Sequence, residues 1–100
     1  IDELGLKGKV FTAGTGMPAA NAQILKDGSV STLTLWDPAN AGYAMASLAT
    51  KILNGETIED GVNLGVEGYE SMHFSSGSTK VLEGTGWLKI TKDNVDSLGF

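Results

Sequence analysis

Between Pro38 and Gly55 the apolar residues Ala41, Ala44, Met45, Leu48, Ala49, Ile52 and Leu53 recur at helical spacing, which gives one apolar stripe of the 3.6-residue period. The ends of this stretch are well marked. Asp37 suits an N-cap, where its carboxylate accepts from the orphan N–H groups of the first turn. Pro38 suits the first helical position, where its missing N–H costs nothing. Gly55 stands where a helix commonly ends in a left-handed residue. The spacing therefore predicts a helix over 38–54. Directly before it, Ser29 to Trp36 is rich in β-branched and apolar residues and reads as a strand that brings a large indole to its carboxyl end.

Further upstream, Lys9 to Ala13 reads as a short buried strand and Gly14-Thr15-Gly16-Met17 as a turn. Pro18 opens a helix through Lys26, and Gly28 ends it. The order β-α-β-α argues for a parallel sheet with helical crossovers. Two parallel strands make no stable sheet by themselves, so more strands are expected from elsewhere. After Gly55 the pattern changes. Thr57 to Gly68 is polar and punctuated by glycine, and Ser75-Ser76-Gly77-Ser78 is a loop signal. Strands are expected at 69–74, 79–82 and 87–91, the last two separated by Glu83-Gly84-Thr85-Gly86. A short helical turn is expected at 93–96.

Composition narrows the function classes. The chain has 100 residues, 41% of them hydrophobic, and 14 glycines, which fits one small α/β domain or a piece of a larger one. Net charge is −5, with lysines and no arginine. Arginine is the side chain that best reads phosphates and guanine edges, so a nucleic-acid role is not expected. The absence of cysteine rules out thiol chemistry, disulfides and zinc–thiolate sites within this sequence. No apolar run approaches about 18 residues, so no membrane insertion is expected. The opening Ile1-Asp2-Glu3-Leu4 has no basic region and no initiating Met. It reads as the interior of a longer chain, and a missing N-terminal part of that parent is expected to complete the fold.

Few residues suggest chemistry. Gly14-Thr15-Gly16-Met17-Pro18-Ala19 has the outline G-x-G-x-x-A between a strand and a helix, and Asp37 ends the following strand. In a dinucleotide fold, such glycines admit a pyrophosphate to the backbone and such an acid holds the ribose hydroxyls. The alternative reading, an NAD-dependent oxidoreductase fragment, rests on Gly14, Gly16 and Asp37. The same residues are equally explained as a tight turn and an N-cap. His73 is the only histidine and alternates with Met72 and Phe74 as a strand residue does. Glu56, Glu59, Asp60, Glu67 and Glu70 read as solvated carboxylates, and no glycosidase-like pair stands out among them. Asp93-Asn94-Val95-Asp96 lacks the glycine and terminal glutamate of a calcium loop. No catalytic residue, metal site or cofactor is assigned.

The runs Gly14-Thr15-Gly16-Met17-Pro18, Lys26-Asp27-Gly28-Ser29-Val30 and Leu35-Trp36-Asp37-Pro38-Ala39-Asn40-Ala41-Gly42-Tyr43 together are informative. In that order they resemble the last third of type I periplasmic sugar-binding proteins, most of all the rhamnose- and autoinducer-2-binding branch of ABC uptake systems. The tail from Thr91 to Phe100 is similar as well. The resemblance implies a fragment of a two-lobe α/β fold with a parallel sheet, β-α-β-α followed by a strand-rich tail. It places 1–36 in the C-terminal lobe, makes 37–56 a helix belonging to the N-terminal lobe, and makes 57–100 a crossing segment and tail. It implies a non-catalytic, solute-binding component that holds a small sugar or autoinducer-2-like ligand in an inter-lobe cleft and delivers it to an ABC permease, in the periplasm or lipid-anchored outside the cell. The ligand-binding residues it implies are Trp36, Thr15, Gly16, Met17 and Asp37. Trp36 stands where ribose binders use a polar amide. The effector-binding core of a sugar-responsive repressor would share the fold, and an interaction fragment without any ligand is a third reading.

Overall fold

The computed structural model describes residues 1–100 as an α/β chain. Strand β1 (Ala13–Thr15) leads to helix α1 (Pro18–Lys26), β2 (Thr32–Trp36) and helix α2 (Pro38–Leu53). Three short strands follow, β3 (His73–Phe74), β4 (Leu82–Glu83) and β5 (Trp87–Ile90), and then a 3₁₀ turn at Val95–Ser97. Contacts divide the chain into two compact units, one of Ile1–Leu35 with Leu88–Phe100 and the other of Trp36–Trp87.

In the first unit, β1 pairs with β2 in parallel, with Ala13 opposite Thr32, Gly14 opposite Leu33 and Thr15 opposite Thr34. The expected βαβ crossover is therefore present. The third strand of this sheet is β5, in the order β1-β2-β5, so the C-terminal tail supplies the strand that the first half lacked. Leu33 and Leu35 point one way from β2 because side chains alternate along a strand. They meet Leu25 from α1, Ile90 from β5 and Val95 from the 3₁₀ turn, all buried. Lys26 Nζ reaches Asp96 Oδ1 at 2.6 Å across the outside of this core. Both side chains are largely exposed, so this pair adds little.

The strand expected at Lys9–Ala13 starts later and is not buried. Lys9 and Val10 donate their N–H groups to Leu6 O in local turns, at 3.0 and 3.1 Å. Those donors are unavailable to a sheet, and Phe11 is 81% exposed. Thr12 O instead accepts from Ser31 N and Thr32 N, and pairing begins at Ala13. Gly14 and Thr15, expected in a turn, are strand residues on the exposed sheet edge. Helix α1 keeps its expected limits. Asp27 is its C-cap, and Gly28 takes the left-handed conformation with φ of 82°. Strand β2 begins three residues later than expected, because Val30 N turns back to Ile24 O.

The second unit is built on α2. Asp37 Oδ1 caps it, accepting from Ala39 N at 2.7 Å and Asn40 N at 3.2 Å. Asn54 closes it, and Gly55 follows with φ of 77°. Ala44 is buried against Leu64 and Met72, with Leu48, Val62, Val66, Tyr69 and Leu82 around them. The single stripe expected on this helix is thus divided between two faces. Ala41, Ala44 and Leu48 turn to the core, whereas Met45, Ile52 and Leu53 are 69%, 56% and 86% exposed. The strand expected at 69–74 is reduced to β3, with one antiparallel bridge between Val62 and Met72. The strand expected at 79–82 is shifted to β4, which pairs antiparallel with β3. The helical turn expected at 93–96 lies at Val95–Ser97.

Candidate ligand-binding site

Site residues are best followed along the strands that end near them. Thr15 closes β1 beside Thr34 of β2, and their hydroxyl oxygens are 3.5 Å apart, too long for a strong hydrogen bond. Thr34 Oγ1 also reaches Gly14 O at 3.4 Å, whereas Thr15 Oγ1 has no further protein partner. Gly16 follows where no side chain fits, since a Cβ there would stand 2.9 Å from Asn21 Nδ2. That amide donates to Met17 O at 2.8 Å, which fixes the turn from β1 into α1. Met17 is the N-cap of α1 without a side-chain cap, and it is 45% exposed.

Trp36 is the last residue of β2 and is 43% exposed, although Leu33 and Leu35 before it are buried. Alternation alone would turn it away from that core. Its indole meets that of Trp87, the first residue of β5, edge to face, with ring centroids 5.4 Å apart and planes at 84°. This is a favoured geometry for two quadrupolar rings. Trp87 is 57% exposed. Sequence reasoning read Trp87 only as the start of a strand. The missing signal is the β2–β5 pairing, which no local pattern encodes.

Asp37 follows Trp36 and uses Oδ1 for the helix cap, while no hydrogen bond engages its Oδ2. The structure gives the dinucleotide reading no support. Gly14 lies within a strand, Gly16 is filled by Asn21, Pro18 removes one N–H from the first turn of α1, and Asp37 is engaged as a cap.

One cluster escaped the sequence entirely. Ser71 Oγ lies 3.2 Å from His73 Nε2, and His73 Nδ1 lies 3.0 Å from Asp60 Oδ2. Asp60 Oδ1 accepts from Phe74 N at 2.7 Å. The His73 imidazole, and after it the Phe74 N–H, hold the Asp60 carboxyl below the usual carboxylate range. This is a nucleophile–base–acid chain in outline. Both His73 and Asp60 side chains are 60% exposed, whereas acyl-transfer sites depend on preorganised dipoles in a water-excluded setting. The three residues tie the loop at Asp60 to β3.

Two concavities of about 330 and 270 Å³ lie beside the two cores, the first lined by residues such as Phe11, Leu25 and Thr91, the second by Ala44, Leu48 and Tyr69. Neither is lined by Thr15, Gly16, Met17, Trp36 or Asp37.

A parallel βαβ unit with an aromatic and a carboxylate at the carboxyl end of its strand places candidate groups where open α/β sheets receive ligands. The sequence profile of the periplasmic binding protein domain family matches residues 1–57, which span β1, α1, β2 and α2. The chain belongs to that family. Such domains are in general non-enzymatic solute binders of the periplasm or the extracellular side. No curated protein matches the sequence. No helix is long and apolar enough to cross a membrane.

Proposed function

We propose that the protein is the solute-binding component of an ABC uptake system, working in the periplasm or lipid-anchored outside the cell, and that its ligand is a small sugar or an autoinducer-2-like molecule. The observation that carries this reading is the family match over residues 1–57, together with the exposed indole of Trp36 at the carboxyl end of a parallel strand. Ligand-binding residues in this reading are Trp36, Thr15, Gly16, Met17 and Asp37. Trp36 forms an apolar wall, Thr15 supplies a hydroxyl, Gly16 and Met17 supply backbone groups, and Asp37 supplies its unengaged carboxylate oxygen. The rhamnose- and autoinducer-2-binding branch is favoured by the run Leu35-Trp36-Asp37-Pro38.

In the same reading, residues 1–36 belong to one lobe of the two-lobe family fold, 37–56 form a helix of the other, and 57–100 are the crossing segment and tail. The change of compact unit between Leu35 and Trp36 supports the first of these boundaries. The mechanism is population shift. A ligand favours a closed form only by the difference in its affinity for the open and closed states. A thermal-shift panel on the full-length protein tests the proposal, with autoinducer-2, L-rhamnose, D-ribose and NAD(H) as probes and Trp36→Ala as control. A shift with one of the first three that shrinks in the variant is expected. A shift with NAD(H) alone refutes the proposal.

A further inference from the structure

We infer that Trp87 is a second binding residue, and that Trp36 and Trp87 form an aromatic corner for the C–H face of a cyclic polyol. The inference rests on the sugar-binding reading above and narrows its ligand class to ring-closed sugars. Two indoles in edge-to-face contact ordinarily serve a core, where each buries most of its surface. Here they are 43% and 57% exposed although their centroids are only 5.4 Å apart. Both indoles therefore keep a large part of their surface open to solvent side by side.

The backbone that carries the exposed ring of Trp87 is held tightly. Gly86 lies so close to Tyr69 that a Cβ there would stand 2.7 to 2.9 Å from the phenol ring. A Cβ on Gly68 would stand 2.4 Å from Gly86 Cα, and one on Gly84 would stand 2.6 Å from Met72 Sδ. Thr85 N donates to Gly68 O at 3.0 Å, and Trp87 N donates to Thr85 O at 2.8 Å. Three glycines thus allow residues 84–87 to lie directly on Tyr69 and Met72. Trp36 is fixed in turn by β2 before it and the capped start of α2 after it. Rigid aromatic groups on fixed backbone lose little conformational entropy when a ligand seats on them.

Chemistry selects the occupant. The face of an indole is electron-rich, and the C–H bonds on one side of a sugar ring present weakly positive hydrogens to it. The hydroxyls on the ring edge need acceptors, and Asp37 beside Trp36 has Oδ2 without a partner. An open-chain polyol has the same hydroxyls but no flat face, so it cannot cover the indole in one conformation.

The test is calorimetric titration of the full-length protein with L-rhamnose, D-ribose and the open-chain L-rhamnitol. Binding of at least one ring sugar and at least tenfold weaker binding of L-rhamnitol are expected. Trp87→Ala should weaken the ring sugar by about tenfold or more, as for a buried aromatic anchor, and Trp87→Phe should restore most of it. ¹⁹F NMR of 5-fluorotryptophan-labelled protein, assigned with Trp36→Phe and Trp87→Phe, should show both signals moving on addition of the sugar. That readout is independent of any stability loss in the alanine variant. If wild-type protein binds a ring sugar while Trp87→Ala binds equally well, or the Trp87 signal stays still, the aromatic corner is refuted and the sugar-binding reading survives. If wild-type protein binds neither ring sugar, the aromatic corner is refuted, and the thermal-shift panel with autoinducer-2 decides the uptake-component reading separately.

Discussion

Asp37 separates structural from functional roles within one side chain. Its Oδ1 accepts from Ala39 N at 2.7 Å and Asn40 N at 3.2 Å, and its charge sits at the positive end of α2. Asp37→Ala removes the cap, worth about 1 kcal/mol (range ~0.5–2). It also removes a favourable charge–dipole interaction of about 0.3–1 kcal/mol. The expected loss is therefore about 1–2 kcal/mol. Asp37→Asn keeps a capping oxygen and loses only the charge, so it should cost about 0.3–1 kcal/mol. Urea unfolding followed by circular dichroism measures both, with an unchanged m value showing that the unfolding unit is the same. Binding separates the second role. If the free oxygen accepts a ligand hydroxyl, Asp37→Asn should lose sugar affinity even though most stability returns. Equal destabilisation by the two variants would refute the cap as the source of the effect. Undiminished affinity in Asp37→Asn would remove the carboxylate from the ligand site.

Further outcomes follow from burial and close approach. Ile90 is fully buried among Leu25, Leu33, Leu35 and Val95, so Ile90→Ala should cost about 2–5 kcal/mol in urea unfolding. Leu53 is 86% exposed, so Leu53→Lys should change stability by less than about 0.5 kcal/mol in the same assay. Gly86→Ala drives a methyl group into the Tyr69 ring; a loss of about 1–3 kcal/mol is expected, together with a change in tryptophan emission as Trp87 is displaced. The Asp60 carboxyl titrates lower in the folded than in the unfolded chain. Its tie to His73 and Phe74 therefore stabilises the fold above the unfolded value of about 3.9 and is lost as pH falls through the folded one. In Asp60→Asn the part of the acid-induced loss due to this group should be absent from pH-dependent unfolding curves.

Both helices were legible because their signals are local. Pro18 and Pro38 open α1 and α2, Asp37 caps α2 from the position directly before it, and Gly28 and Gly55 take the positive φ that suits glycine at the ends. Strands were legible only where burial wrote them, as in Leu33 and Leu35 of β2. Strand β1 lies on the exposed edge, so its three residues follow the pairing to β2 rather than any hydrophobic pattern. Val10 and Phe11 look like strand residues, but turns at Leu6 take up the backbone donors around them. Strands β3 and β4 are two residues each and exist through their pairing with one another, which leaves no period to detect. The division of the α2 stripe has a similar cause. Periodicity shows that a helix has an apolar side, but only the packing of Leu64 and Met72 selects which part of that side is covered.

The candidate site repeats this contrast between local and distant information. Trp36 could be found from sequence because strand, indole, cap and helix are consecutive. Trp87 could not, since its placement depends on β5 lying beside β2 and on Gly68, Gly84 and Gly86 admitting close packing, Gly68 with a left-handed φ of 83° as well. These glycines look like loop punctuation in the sequence, yet at each one a Cβ would meet backbone, a ring or a thioether at less than 3 Å. The Asp60–Ser71–His73 cluster was hidden for the same reason, being closed by the turn that brings Asp60 to Phe74. Its polarity shows why proximity alone is a poor guide to chemistry. The cluster has the partners of a reactive serine but lies in water, whereas the tryptophan pair has two partly exposed indoles on backbone held by close packing.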